Sequence, residues 1–396
     1  MKKFAFFATA LMVLASCSNT DELMTSGGTQ PSKAAISFDS PFVNKNTRSD
    51  CEITNDNIRQ QEVTVWGLKY SNSSSSDAES VFGIDGESKP LNKVLNTSNS
   101  WQGNGDVAYW ESDKTYDFIA ITGQRSFGTT FTAATDHRDA YLSVANVPLI
   151  QQDMSYTVIG SSHAAAADIV VAKRIGISGA KKMPVQLRMN HALSRLDVYA
   201  YSQEGGDAVN LKSLKIYLPS SEKVCNFEEK LGTDDDVLGR TSDTWTFAGS
   251  GFVPVTDASS ESDLINSGYK AYDLIGADGM DVAPAADAKD AIKLGDADTD
   301  TRNKSLCQYC FFIAPFAEMI LHEGIYISAT YTVGDSGEEK SVELTKVNGL
   351  SEFTAGRINK LVLRINGDGK VPITFEVQGT SWSSNDATNS EQDVKN

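Results

Sequence analysis

The chain is 396 residues long and carries 35 basic against 52 acidic side chains, a net charge of −17. That acidic excess repels nucleic acid and anionic lipid, so no nucleic-acid partner is expected, and it suits a solvated exterior surface. The length exceeds what one hydrophobic core usually serves, which predicts two domains.

Residues 1–16 have the three-part layout of a secretory leader: Lys2 and Lys3, an apolar run from Phe4 to Val13, then Leu14, Ala15 and Ser16. The apolar run is too short to span a bilayer. Leu-Ala-Ser runs directly into Cys17, which resembles the lipobox of bacterial lipoproteins. The resemblance implies acylation of Cys17 and a lipid-held chain at the outer membrane, where each buried acyl methylene adds about 0.8 kcal/mol. Asp21 and Glu22, shortly after Ser18, resemble the acidic surface-export signal of Bacteroidetes lipoproteins. Without the leader the chain has 33 basic against 52 acidic side chains, a net charge of −19.

Beyond the leader the pattern is overwhelmingly strand. Alternation of period two places Leu196, Val198 and Ala200 on one face, then Ile325, Ile327, Ala329, Tyr331 and Val333, then Leu361, Leu363 and Ile365, then Ile373, Phe375 and Val377. Asn-Gly-Asp-Gly after Ile365 is turn chemistry ahead of the last strand. Short helical turns are expected only at Ala164 to Ala167 and Pro284 to Ile292, because no apolar stripe persists over three turns. The predicted class is therefore all-β, with hairpin-rich antiparallel sandwiches. Ser71 to Asp77, Thr233 to Asp236 and the Ala-, Asp- and Gly-rich stretch from Asp257 to Thr301 read as loops, and the tail 383–396 is too polar to order itself. Core candidates are Trp66, Trp110, Phe118, Leu196, Val198, Tyr217, Ile325, Ile327, Leu361, Leu363 and Phe375.

A search for chemistry finds no convergent nucleophile, base and charge stabiliser, so no catalytic residue, cofactor or metal site is assigned. His322-Glu323 lacks the second histidine of a zinc-protease helix, and His137, His163, His191 and His322 are scattered, as structural hydrogen-bonders are. Gly103-x-Gly105 is followed by Tyr109 and Trp110 and a strand, so it reads as a hairpin loop rather than a dinucleotide loop. Asp296, Asp298 and Asp300 imitate a calcium loop, but its sixth position is Thr301 and its twelfth Cys307, where glycine and glutamate are required. Cys51, Cys225, Cys307 and Cys310 read as buried free thiols, because the Cys307-x-x-Cys310 pair lies in an apolar strand with no second ligand pair.

Several segments together resemble the fimbrillin family of Bacteroidetes, whose lipoproteins build type V pili. Ala35-Ile-Ser-Phe-Asp-Ser-Pro-Phe-Val precedes Asn46-Thr-Arg48-Ser49 and then Val63-Thr-Val-Trp-Gly-Leu. Ala108-Tyr-Trp-Glu-Ser-Asp and Tyr116-Asp-Phe-Ile-Ala-Ile look like the family's Trp-x-x-x-x-x-Tyr-x-Phe segment, and Leu187-Arg-Met-Asn-His-Ala-Leu-Ser-Arg-Leu is similar to the strand that opens its second domain. Phe353-Thr-Ala-Gly-Arg and Val371 to Trp382 match its closing strands. The resemblance implies two tandem transthyretin-like antiparallel β-sandwich domains, residues 34–182 and 183–382, behind a lipidated propeptide, 17–48, that carries the first strand. It further implies an Arg-specific cut between Arg48 and Ser49 and assembly by donor strand, with other fimbrial subunits and the outer membrane as partners and a fimbrium on the cell surface as the location. Adhesion to a host or bacterial surface glycan or protein is part of that picture. The last residues are polar, so a strand lent by this chain has to come from Ile373 to Val377, and the shaft, tip and anchor roles all stay open. The alternative is a stand-alone glycan-binding lipoprotein, with Trp101 in a hairpin loop, Tyr109 and Trp245 stacking on sugar rings.

Overall fold

The computed structural model describes residues 34–39, 42–43, 53, 58, 62–71, 76–82, 91–95, 101–103, 107–123, 127–148, 150–152, 168–203, 206–207, 209–219, 224–234, 245–248, 260–275, 279–282, 284–286, 291–294, 311–315, 324–334, 337–347, 353, 355–365 and 373–381. Cys17, Arg48, Ser49, Cys51, His163, His322, Cys307, Cys310, Ala164 to Ala167, the Asp296 to Asp300 triplet and the tail 383–396 lie outside the described residues.

The regular elements among the described residues are almost all strands, as the period-two alternation predicts. In Ile325–Val333 the five odd-numbered residues are all buried, and the strand is hydrogen-bonded antiparallel to Val209–Pro219 on one side and Glu339–Val347 on the other. Tyr269–Asp273 and Met280–Val282 complete a five-stranded sheet on the free side of Val209–Pro219. A second sheet runs Ile373–Ser381, Arg357–Ile365, Ser194–Gln203, Phe311–Ile313, Ile150–Gln152. Its two longest neighbours, Ser194–Gln203 and Arg357–Ile365, are parallel, which the hairpin pattern did not predict. Parallel partners need a long crossover, and the more than 150 residues between them supply it. These two sheets face each other through Leu196, Leu361 and Phe311 on one side and Leu211, Ile216 and Tyr331 on the other, all in one apolar cluster, with the Tyr272 and Phe311 rings edge to face at 5.3 Å.

A third sheet has the order Phe42–Val43, Arg188–His191, Val170–Ser178, Lys114–Thr122, Glu62–Ser71, Leu91–Leu95, Trp101–Gly103. One of its faces, carrying Trp66, Ile119 and Val171, packs on a four-stranded sheet ordered Trp245–Ala248, Val224–Lys230, Tyr141–Pro148, Gly128–Thr132, where the Trp66 and Phe131 rings stack at 6.0 Å. Strand pairing crosses residue 182 repeatedly: Val170–Ser178 and Phe42–Val43 pair with Arg188–His191, Tyr141–Pro148 pairs with Val224–Lys230, and Ile150–Gln152 pairs with Phe311–Ile313. The described residues, all from Ala34 onward, form one compact unit.

Three expectations need correction. The Asp257 to Thr301 stretch contains the helix Glu261–Asn266 and the strands Tyr269–Asp273 and Met280–Val282, elements too short to show a period. Pro284–Ala285 and Ile292–Lys293 are short strands on Ser194–Gln203 rather than a helical turn, because that strand's hydrogen bonds are available there. Trp101 starts the strand Trp101–Gly103, opposite Leu95, and is not in the hairpin loop.

Cys225 is a buried free thiol in Val224–Lys230, as expected, and burial pushes its pKa up to about 12. Iodoacetamide at pH 8 therefore leaves Cys225 unmodified in the folded protein and labels it after unfolding in urea. Peptide mass mapping checks this, and labelling at comparable rates in both states would contradict the placement.

Candidate functional site

The other face of the third sheet presents Val63, Val65, Phe118, Ala120, Val170 and Ala172. Among the described residues no broad second sheet covers it. A thin layer does, made of short chain segments: residues 34–39, Ile53, Ile58, Phe82 and Trp110.

Ala34 to Asp39 is the middle of that layer. Ala35 bridges Tyr109 in antiparallel sense and Phe38 bridges Val185 in parallel sense. The Ile36 amide donates to the Ala108 carbonyl at 2.8 Å, and the Trp110 amide donates to the Ala34 carbonyl at 2.9 Å. On the other side the Asp39 amide donates to the Val185 carbonyl at 2.9 Å, and the Val185 amide donates to the Ser37 carbonyl at 2.8 Å. Phe42–Val43 continues the path alongside Arg188 and Met189.

Alternation then decides which side chains go inward. Ile36 and Phe38 are 7% and 6% exposed, whereas Ala35, Ser37 and Asp39 face solvent. The Phe38 ring meets Phe118 edge to face at 5.4 Å and Phe82 at 6.4 Å. Trp110 packs edge-on to Tyr116 at 4.8 Å and to Phe118 at 6.2 Å. The Trp-x-x-x-x-x-Tyr-x-Phe segment thus forms the floor of the slot, with the Tyr116 hydroxyl accepting from the Glu111 amide at 2.8 Å to fix the turn between Trp110 and Tyr116.

Taking residues 34–43 away would leave Phe118, Phe82 and Trp110 uncovered, and would leave the Ala108 carbonyl, the Trp110 amide and both polar groups of Val185 without their strand partners. Exposed unpaired strand edges beside an apolar floor bind another extended segment. The slot sets that segment's chemistry: two apolar side chains two residues apart, polar residues between, running antiparallel to 108–110 and parallel to 185–189.

The polar side chains nearby have structural partners. His191 Nδ1 and Asp168 Oδ1 are 2.9 Å apart, and Asp168 Oδ2 accepts the Ile53 amide at 2.7 Å. On the opposite face His137 pairs with Asp117, whose carboxylate also accepts the Gly176 amide at 2.7 Å. Burial raises the Asp117 pKa, partly countered by that amide and by His137. Of the aromatics expected to stack on sugars, Trp245 is 2% exposed and packed on Phe227 at 5.1 Å, so it is a core residue. Tyr109 is 46% exposed on the rim of the slot. Every described core candidate is buried; Phe375 lies in the strand Ile373–Ser381. Sequence reasoning missed Asp168, Val185 and Phe82, which come from three distant segments and carry no shared local signal.

The fold and this slot define an all-β protein that holds residues 34–39 as a bonded strand over an apolar floor. The chain belongs to the fimbrillin-like family, whose profile matches residues 47–382. Among solved structures it is similar to a fimbrial protein from Bacteroides vulgatus, at 14% identity and a TM-score of 0.47 over 88% of this chain and 99% of that one. It is also similar to the tip fimbrial protein Mfa3 from Porphyromonas gingivalis, at 8% identity and a TM-score of 0.33 over 81% of this chain and 94% of that one. No curated protein matches the chain.

Proposed function

We propose that this protein is a surface pilus subunit, in the shaft or as a tip or anchor adhesin, lipidated at Cys17, matured by cleavage after Arg48 and assembled by donor-strand exchange. The observation that carries the reading is the position of residues 34–39: bonded on both sides, with Ile36 and Phe38 inward, and joined to the rest of the chain only through the segment that contains Arg48. A cut there falls outside every described element and severs the strand from the residues that follow, and the family match itself begins at residue 47.

Within this chain the segment that best meets the slot's requirement is Ile373-Thr-Phe-Glu, which repeats the alternation of Ile36-Ser-Phe-Asp. It belongs to Ile373–Ser381, which closes its sheet and is bonded, among the described strands, to Arg357–Ile365 alone. A second copy, or another subunit with the same pattern, supplies the donor. The role is assembly and attachment at the outer membrane, with no catalytic step. The glycan-binding alternative has lost Trp245 to the core and rests on Tyr109 and Trp101.

Arg48→Ala tests the reading in cells. The expected result is a surface lipoprotein that keeps its first strand and is missing from sheared filaments. Incorporation of Arg48→Ala into filaments at the normal level would rule out strand release as the assembly step.

A further inference from the structure

Arg48 and Arg59 are the first two arginines of the chain, 11 residues apart, and a cut at each would leave a very different molecule. Ile58, just before Arg59, is buried in the slot's apolar cluster together with Ile53. Cleavage after Arg59 would remove both and open more of the floor than loss of the first strand does. A protease needs several residues on either side of the bond drawn out in its cleft, so a site whose neighbours are buried is cut only through local unfolding.

Ile53 is held unusually well for a residue outside a strand. Its amide donates to Asp168 Oδ2 at 2.7 Å, in a setting where Asp168 and His191 are both buried and 2.9 Å apart. A carboxylate accepting a backbone amide makes a charge-assisted bond, stronger than an amide–carbonyl one, and the imidazole fixes its orientation. The backbone behind is tied as well, with the Ala192 amide donating to the Ile169 carbonyl at 2.8 Å. Gly123 makes room for the clamp: its φ is +80°, and a Cβ there would fall 2.0 Å from the Asp168 carbonyl oxygen and 2.6 Å from Ile53 Cδ1.

We infer that the buried Asp168–His191 pair is a processing clamp, which holds Ile53 and with it Ile58 in the core so that Arg-specific maturation stops at Arg48 and spares Arg59. The inference rests on the proposed cut after Arg48. In that cut one water is consumed, the Arg48–Ser49 peptide bond breaks, Arg48 keeps a carboxylate and Ser49 becomes the new ammonium terminus. Asp168 and His191 touch no part of that reaction and act as positioning residues, setting where it ends.

The test digests the full-length chain, purified in detergent, with an Arg-specific endoprotease and reads the new N-terminus by intact mass. Wild type is expected to give a stable product starting at Ser49. Asp168→Ala is expected to give products starting at Gln60 at least about tenfold faster, since losing a hydrogen bond to a charged group opens the segment by that factor or more. Asp168→Asn keeps a carbonyl acceptor for the Ile53 amide and is expected to restore the Ser49 product. Should Asp168→Ala fail to melt cooperatively, hydrogen exchange on the cut wild-type chain decides: a protected Ile53 amide supports the clamp, and free exchange overturns it. A Ser49 product from folded Asp168→Ala, or a wild-type product starting at Gln60, also overturns it. A wild-type chain left intact at Arg48 sinks the cleavage reading instead, which separates the two failures.

Discussion

Phe38→Ala lowers the stability of the uncut chain by about 3 to 5 kcal/mol, the usual cost of emptying a buried phenylalanine site, and leaves a chain that begins at Ser49 unaffected. The cost arises because the Phe38 ring fills the space between Phe82 and Phe118, and Phe118 is held in Lys114–Thr122, a central strand of the sheet. The second half of the prediction follows from position: residue 38 precedes Arg48, so the proposed cut separates it from the chain that begins at Ser49. Urea denaturation of the Phe38→Ala precursor, before and after cleavage, measures both. An equal loss in both forms would show that the first strand stays in the slot after the cut. In the proposed assembly the same substitution leaves the donor intact in every copy, so the cut variant is expected to form filaments at the wild-type rate.

The second large effect concerns the ion pair that joins the two sheets on the other side of the sandwich. Lys173 Nζ lies 2.9 Å from Glu229 Oε1, with side chains 1% and 0% exposed, and it also donates to the carbonyls of Lys230 at 3.0 Å and Leu231 at 3.2 Å. Lys173 belongs to Val170–Ser178 and Glu229 to Val224–Lys230, so the pair pins a strand from before residue 182 to one from after it. Glu229→Ala strands a buried ammonium and is expected to cost about 3 to 5 kcal/mol. Lys173→Met with Glu229→Leu replaces both charges by apolar groups of similar size and is expected to recover most of that loss. Chemical denaturation of the two single variants and the double variant forms the cycle. Equal destabilisation by the double variant would mean that the site needs charge rather than volume.

How much of this could be read in advance depends on how local each signal is. The long strands were legible, since Ile325 to Val333 and Leu361 to Ile365 write one buried face into adjacent residues. Ser194–Gln203 was only half legible. Its apolar side was found, but Arg195 and Asp197 on the other side are also buried, paired through Arg195 Nε and Asp197 Oδ1 at 2.7 Å. Charged residues at alternate positions look like a solvated face, and only a partner layer shows otherwise. The helix Glu261–Asn266 carries a local signal of its own: the Ser260 hydroxyl caps it by accepting the Asp263 amide at 3.2 Å, a start signature visible as Ser-x-x-Asp.

The slot shows the same division. The apolar alternation of Ile36 and Phe38 and the Trp110, Tyr116, Phe118 spacing were both visible in sequence. That the first rests on the second was not, because Phe38 is held there by Val185 and Phe82, each contributed by a distant segment. Period-two arithmetic gives the faces of a strand and says nothing about which layer will cover them. Trp245 went the opposite way: a tryptophan beside polar residues suggests an exposed platform, yet Phe227 across the Val224–Lys230 pairing draws it into the core.

The central claim is that the first strand is a temporary occupant of its slot, and the measurement that tests it most directly is the N-terminal residue of the mature protein on the bacterial surface. Intact mass and terminal sequencing of protein recovered from sheared surface material give it in one experiment. A chain beginning at Ser49 is the predicted result, since it means that residues 34–43 are no longer joined to the chain and the floor made by Trp110 and Phe118 is free to take another strand. A chain beginning at a lipidated Cys17, with Ile36 and Phe38 still present in filament-borne protein, would contradict the account.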